Sequence, residues 1–243
     1  MTPLQSYFYE LKVRGSYVLF SSFLTFFICY SFQLEILYVI GKPFLQFGHT
    51  FVFLELTEAL YTMFRISTSL TFLSIVPLFL YHSWSFVVPS LYKMEREKTT
   101  GVCVLFFSLF FFEILFTYFC VLPEMCHFFL GFEMSSGGEI SPVHGTPLLS
   151  LQFTARLQSY VDLVVHILWS VLILFQIPPC VVVFYSTKWI HVSSFYGNRK
   201  LWGLLVLLLS AVIVPPDFVS QLVLSLFFYL LLEFFIFLGF FFD

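Results

Sequence analysis

Six apolar runs separated by polar segments dominate the sequence. They cover residues 17–39, 66–88, 102–122, 160–185, 201–214 and 219–240. A helix needs about 20 apolar residues to cross a hydrocarbon core of about 30 Å, and five of the runs reach this length. Inside lipid, runs of this kind satisfy their backbone polar groups as helices. The sequence therefore predicts an all-α integral membrane protein, a bundle of six transmembrane helices forming one domain over residues 1–243.

The composition supports this prediction and excludes a soluble enzyme. Hydrophobic residues make up 60% of the chain and charged residues 10%, whereas soluble domains are about 45–50% apolar and about 25% charged. The net charge of −3 is too small to indicate a nucleic-acid partner. The sequence has no glycine-rich phosphate loop, metal-ligand cluster or nucleophile–base set. We therefore expect no enzymatic activity, no metal and no cofactor.

The fifth run is shorter than the others. At about 1.5 Å per residue it reaches only about 21 Å, and Pro215 and Pro216 end it. It is either a short span in a locally thinned bilayer or half of a re-entrant hairpin. The length of the sixth run favours two spanning helices.

The basic residues predict the orientation. Eight lie in segments on one side of the predicted membrane and three on the other. The eight are Lys12, Arg14, Lys93, Arg96, Lys98, Lys188, Arg199 and Lys200. The positive-inside rule then places both termini on the matrix or cytoplasmic side. In the opposite loops, residues 51–54 are expected to form a short helix at the bilayer surface, and the loop from Pro123 to Gln158 is expected to be irregular.

Three polar residues interrupt the apolar runs: Glu113, Gln176 and Glu233. Such residues are costly in lipid and face protein or water. They belong either to a proton or ion path or to polar contacts inside the bundle. Pro178 and Pro179 predict a kink beside Gln176. One alternative function is therefore a proton- or ion-coupled small-solute transporter. Another is an anchor subunit of a respiratory complex, although the six histidines form no haem-ligand pairs.

A charged segment, PSLYKMEREK, follows the second run at residues 89–98. It is either a solvated cluster that caps a helix or a recognition patch. In a patch, Glu95 and Glu97 could each accept a guanidinium group in a bidentate pair.

Several ordered motifs make the chain resemble the TatC family, the multi-spanning core of the twin-arginine protein translocase. Residues 81–95 fit the pattern Y-x-x-W-x-F-x-x-P-x-L-Y-x-x-E. Residues 10–14 read ELKVR before the first run, and residues 214–221 read VPPDFVSQ. Pro43, Pro178, Phe119 to Pro123, Tyr229 and Glu233 complete the likeness, which covers nearly the whole chain.

The resemblance implies six spans with both termini on the cytoplasm-like side and with spans five and six short. It implies a receptor for twin-arginine signal peptides of folded cargo, working in a lipid bilayer as an oligomer with single-span TatA- or TatB-type subunits. The proton gradient would drive transport.

The resemblance also assigns residues. Those implied to bind the signal peptide are Glu10, Lys12, Arg14, Glu95 and Arg96. Those implied to dock a partner helix are Gln176, Pro178, Pro43, Phe86 and Asp217. Two positions depart from the family, which usually has Arg at Lys12 and often Glu at Gln176. Glu113 has no family counterpart, and its role is open.

The composition also bears on location. The chain has 37 Phe residues and shows no cleavable presequence. These features resemble TatC proteins encoded in mitochondrial genomes. We therefore expect the mitochondrial inner membrane, with a plastid thylakoid or bacterial plasma membrane as the alternative.

Overall fold

The structure is a computed structural model that describes residues 3–131, 154–186, 197–214 and 218–239. The described part is almost entirely helical. Its helices are α1 (Pro3–Ser31), α2 (Gln33–Leu45), α3 (Glu58–Val87), α4 (Lys93–Phe116), α5 (Leu122–Leu130), α6 (Leu157–Phe175), α7 (Ile177–Ser186), α8 (Arg199–Ile213) and α9 (Phe218–Gly239). A 3₁₀ turn (Val88–Ser90) follows α3, and a π segment (Thr117–Val121) joins α4 to α5.

Within the described residues, five helical segments are long and apolar enough to cross a membrane: Gln5–Ser31, Glu58–Ser90, Lys93–Leu130, Leu157–Phe184 and Phe218–Leu238. Helix α8 has 15 residues, or about 22 Å at 1.5 Å per residue. It is therefore short, as the fifth run predicts. Helix α9 has 22 residues and is long enough to span, and its 21-residue apolar segment is the shortest of the five.

The first three helices differ from the predicted runs at their ends. Helix α1 begins well before residue 17, breaks at Phe32 and continues as α2. Pro43 therefore lies inside a helix and not in a loop. The third predicted span ends at Leu122, but the helix continues through Pro123 to Leu130. The π segment ends at Val121, two residues before Pro123, and includes Phe119, the residue whose carbonyl a proline ring at 123 would meet in a regular helix.

Residues 51–54 do not form the predicted surface helix. Phe51–Val52 is a short strand, β1, which pairs in parallel with β2, Ala155–Arg156. Gly41 of α2 permits this arrangement, because a Cβ atom there would lie 3.0 Å from the ring of Phe51. The pairing joins two segments that are about 100 residues apart in the chain.

The main core lies where α4, α6, α8 and α9 meet. Phe116, Phe175, Phe228, Leu224 and Val206 are buried together there. Helix α1 contrasts with this core, since none of the residues in its apolar stretch is buried. It packs mainly along α3 and otherwise presents side chains such as Phe20 and Leu19 outward. Lipid is the solvent that such a surface requires.

The break between α6 and α7 lies at Gln176, as the two following prolines predict. Pro178 and Pro179 carry no N–H, so the helical acceptors four residues earlier lose their donors. The chain therefore bends in the middle of the fourth span, beside the core.

Candidate functional site

One carboxylate of the candidate site lies where α1 packs against the end of α3. The Arg14 guanidinium donates to Glu10 Oε1 through Nε at 3.0 Å and Nη2 at 2.6 Å. Arg14 also donates to Ser85 of α3, to the hydroxyl at 2.8 Å and to the backbone oxygen at 3.4 Å. Both side chains of the ion pair reach solvent, with exposed fractions of 40% for Glu10 and 23% for Arg14.

A groove of about 360 Å³ runs beside this ion pair. Its walls are Tyr9, Glu10, Val13, Arg14, Tyr17 and His82. The rings of Tyr17 and His82 stack with their centroids 6.4 Å apart. The groove thus combines the Glu10–Arg14 ion pair with aromatic walls. Its carboxylate and aromatic faces are groups that bind cations.

The second carboxylate lies at the start of α4. Glu95 is in the first turn and exposed, and its Oε2 accepts a hydrogen bond from the Tyr92 backbone N–H at 3.4 Å. This contact caps the helix, as one hypothesis for the charged segment predicts. The 3.4 Å contact is long, so the carboxylate can still accept a stronger charged donor.

A second groove, of about 520 Å³, is lined by Trp84, Lys93, Arg96, Glu97 and Thr100. Ser85 follows Trp84 in α3, so the end of α3 separates the two grooves. The indole Nε1 of Trp84 and Nδ1 of His82 are buried and have no hydrogen-bond partner among the described residues. We call this region, with Glu10, Arg14, Ser85 and Glu95, the Glu95 end.

The structure places all five residues predicted for peptide binding at the Glu95 end. Lys12 and Arg96 are exposed, whereas Arg14 is held by Glu10 and Ser85. The sequence did not single out Ser85. The sequence nevertheless contains an indication of this role. Pro89, four residues later, has no N–H and leaves the Ser85 carbonyl without a helical donor.

Two of the polar residues predicted in the membrane are buried without partners. Both carboxyl oxygens of Glu113, and both polar atoms of the Gln176 amide, have no hydrogen bond among the described residues. Leu109 lies in one cluster with Val182, and the rings of Phe116 and Phe175 are 5.6 Å apart. Glu113 lies between Leu109 and Phe116 on α4 and therefore faces the α6–α7 break.

The third of these residues, Glu233, is paired. Its Oε1 accepts from the Tyr229 hydroxyl at 3.1 Å and lies 3.3 Å from Nε of Arg199. The pair joins the end of α9 to the start of α8. Glu233 is therefore the one of the three polar residues that has a charged partner among the described residues.

The remaining residues predicted for partner docking differ in accessibility. Pro178 and Pro43 are buried, Phe86 is half-buried, and Asp217 lies outside the described residues. Pro43 has an internal role instead. Because it carries no N–H, the Val39 carbonyl loses its helical donor, and the Tyr118 hydroxyl donates to that carbonyl at 3.0 Å. The neighbouring Ile40 carbonyl accepts from Tyr160 at 2.9 Å.

A buried carboxylate at the opposite end of α3 was missed by the sequence analysis. Glu58 Oε1 accepts from Arg156 Nε and the Gln158 N–H, both at 3.1 Å. Its Oε2 accepts from the N–H groups of Leu54 and Glu55 at 3.0 and 3.4 Å. We call Glu58, Arg156 and the β1–β2 pair the Glu58 end. The residues stand about 100 positions apart, and only the fold brings them together.

Residues 3–131, 154–186, 197–214 and 218–239 contain no group of three or more His, Cys, Asp or Glu side chains that could hold a metal ion. The Glu95 end offers carboxylate, hydroxyl and carbonyl acceptors beside an aromatic groove. Such acceptors bind guanidinium groups.

Known proteins match the chain over most of its length. The family model described as Sec-independent protein translocase protein (TatC) matches residues 6–226. The tatC-like protein ymf16 of Reclinomonas americana is 27% identical over 91% of this chain and 81% of its own length. The protein ymf16 of Nephroselmis olivacea is 30% identical over 90% of this chain and 86% of its own. The Sec-independent protein translocase protein TatC of Rickettsia prowazekii is 24% identical over 91% and 86%.

A solved structure has the same fold. The crystal structure of the twin arginine translocase receptor TatC in DDM superposes with a TM-score of 0.71 at 25% identity, covering 96% of this chain and 99% of that one. The chain therefore belongs to the TatC family, whose members are protein-translocase components and not enzymes.

Proposed function

We propose that this chain is the core receptor subunit of a twin-arginine protein translocase. It binds the paired arginines of a signal peptide at the Glu95 end, through Glu10 and Glu95, with Lys12, Arg14 and Arg96 bordering the site. The observation that carries the proposal is the placement of two accessible carboxylates at one end of the bundle. Glu10 lies in the wall of one groove, and Glu95 lies in the first turn of α4, the helix that lines the other. An exposed ion pair contributes about 0–1 kcal/mol, so selectivity comes from engaging both carboxylates at once.

We also propose six spans with both termini on the matrix side. The count rests on α8 acting as a short span beside the five longer segments. The orientation rests on the excess of basic residues in the segments at the Glu95 end. This orientation presents the Glu95 end to the compartment in which folded cargo carries its signal peptide.

TatA- or TatB-type single-span subunits are the proposed partners, in an oligomeric complex that uses the proton gradient. The α6–α7 break is the proposed docking position, because the Gln176 amide there has no hydrogen-bond partner among the described residues. Pro178 shapes this break. The solute-transporter alternative has less support, since Glu233 is held by Arg199 and Tyr229.

The proposed location is the mitochondrial inner membrane. The content of 37 Phe residues supports it, as do the ymf16 relatives in Reclinomonas americana and Arabidopsis thaliana. Detection of the chain in purified inner-membrane vesicles tests this proposal. Its recovery only in a plastid or bacterial membrane would contradict it.

Photo-crosslinking tests the receptor function. A photoreactive residue replaces Met94 or Tyr9, which are exposed neighbours of the two carboxylates. Each probe should crosslink a paired-arginine peptide, and Glu95→Ala should reduce the yield. A probe at Leu56, which is 98% exposed at the other end of α3, is the matched control. Equal yield at Leu56, or undiminished yield with a paired-lysine peptide, would reject the proposal.

A further inference from the structure

The Arg14 guanidinium is held by acceptors from two helices. Glu10 supplies a carboxylate oxygen from α1, and Ser85 supplies its hydroxyl and its backbone oxygen from α3. Pro89 explains why the Ser85 backbone oxygen can accept, because the residue four positions after Ser85 has no N–H to donate. A carboxylate, a hydroxyl and a free carbonyl around one guanidinium constitute a binding pocket for that group.

The Arg14 guanidinium can leave this pocket and be replaced by another guanidinium group. Glu10 and Arg14 are one helical turn apart, so no tertiary change is needed to separate them. Both side chains reach water, and the groove beside them is open along Tyr9 and Tyr17. Ion pairs that reach water contribute little to stability, so a second guanidinium group can displace the first.

We infer that Glu10 and Ser85 form a guanidinium-binding subsite, and that Arg14 fills this subsite until an arginine of the signal peptide replaces it. The inference rests on the proposed receptor function and adds two elements to it. Ser85 becomes a ligand-binding residue. Arg14 becomes an internal competitor of the peptide and not one of its binding partners.

This arrangement accounts for selection of arginine over lysine at the subsite. A peptide arginine presents the same planar fork as Arg14 and can satisfy Glu10 and both Ser85 acceptors together. A lysine ammonium is a compact point charge that cannot span acceptors placed for a fork. Only a guanidinium therefore compensates for displacing Arg14.

The experiment measures the Kd of a paired-arginine peptide for the full chain in lipid nanodiscs. Arg14→Gln should bind the peptide about tenfold more tightly, as expected when a competitor that fills the site about nine-tenths of the time is removed. Arg14→Gln combined with Ser85→Ala should lose most of this gain, because the hydroxyl acceptor is gone. Lys42→Gln removes an exposed cation of α2, beside the Gly41–Phe51 contact at the opposite end of the bundle, and should leave the Kd within about twofold of the wild-type value.

Arg14→Lys is the second variant, and it keeps the inference testable if Arg14→Gln does not fold. Lysine keeps the charge but not the fork, so the peptide should bind more tightly than to the wild type and less tightly than to Arg14→Gln. Weaker or unchanged binding by folded Arg14→Gln or Arg14→Lys would overturn the inference while leaving the receptor function intact. A wild-type chain that binds no paired-arginine peptide would overturn both.

Discussion

The two ends of α3 hold carboxylates in opposite environments. At the Glu58 end, the carboxylate of Glu58 is enclosed and accepts four hydrogen bonds from fixed donors. At the Glu95 end, Glu10 has one flexible guanidinium partner, and Glu95 has one long contact to its own helix. A fully satisfied buried charge holds secondary-structure elements in place, whereas an accessible charge remains available to a ligand. We therefore assign stability to the first end and recognition to the second.

The largest expected effect is on the Glu58 end. Glu58→Gln removes the buried counter-charge of Arg156, which then keeps only the more exposed carboxylate of Glu55 at 3.6 Å. It also replaces one of the oxygens that accept backbone N–H groups with an amide donor. We expect the Tm in detergent to fall by about 10 °C, with no change in the Kd of a paired-arginine peptide. Asp162→Asn is the control, because both side chains of its ion pair with Arg65 are 37% exposed, whereas that of Glu58 is fully buried. This variant should lower the Tm by only about 2 °C. Equal falls in Tm for the two variants would show that Glu58 contributes no more to stability than a partly exposed ion pair does.

A substitution at Glu113, which lies between the two ends, is expected to have a smaller effect, and this effect is a gain in stability. Glu113 is buried without a partner among the described residues, and such a group costs about 1–3 kcal/mol. Glu113→Leu should therefore raise the free energy of unfolding by about 1–2 kcal/mol, as measured by denaturant titration. Peptide affinity should not change. A destabilised Glu113→Leu chain would indicate that the carboxyl has a partner in the membrane.

The smallest expected change in the free energy of unfolding concerns the Val39 carbonyl, which Pro43 leaves without a helical donor. Tyr118→Phe removes its donor and should cost about 1 kcal/mol. Tyr38→Phe, at an exposed tyrosine on α2, is the matched control and should be neutral. In a Pro43→Ala background, a backbone N–H can again reach Val39, so Tyr118→Phe should cost less. Equal costs in both backgrounds would show that the two features are independent.

Local patterns in the sequence predicted the features that depend on local chemistry. The helices follow from the apolar runs, and the break at Gln176 follows from the two prolines beside it. The motif at residues 81–95 indicated the region in which Glu95 lies accessible. In each case the determining residues are neighbours in the chain.

Long-range contacts determined what the sequence did not predict. Residues 51–54 were expected to be helical, but β1 pairs with β2 more than 100 residues later. In the sequence, Glu58 and Arg156 are two charged residues in separate predicted loops. In the structure, Arg156 Nε lies 3.1 Å from Glu58 Oε1. The continuation to Leu130 depends on a π segment, and no simple periodicity in the sequence indicates one. Ser85 contacts Arg14 across 71 positions, so its role also emerged only from the packing of α1 on α3.

The central claim is that the Glu95 end recognises paired guanidinium groups. The most direct test is the Kd of paired-arginine and paired-lysine signal peptides for wild-type, Glu10→Gln and Glu95→Gln chains in nanodiscs. The wild type should prefer the paired-arginine peptide by about tenfold or more, and each variant should weaken that binding by about tenfold. Equal affinity of the wild type for the two peptides, or wild-type affinity in both variants, would contradict the claim.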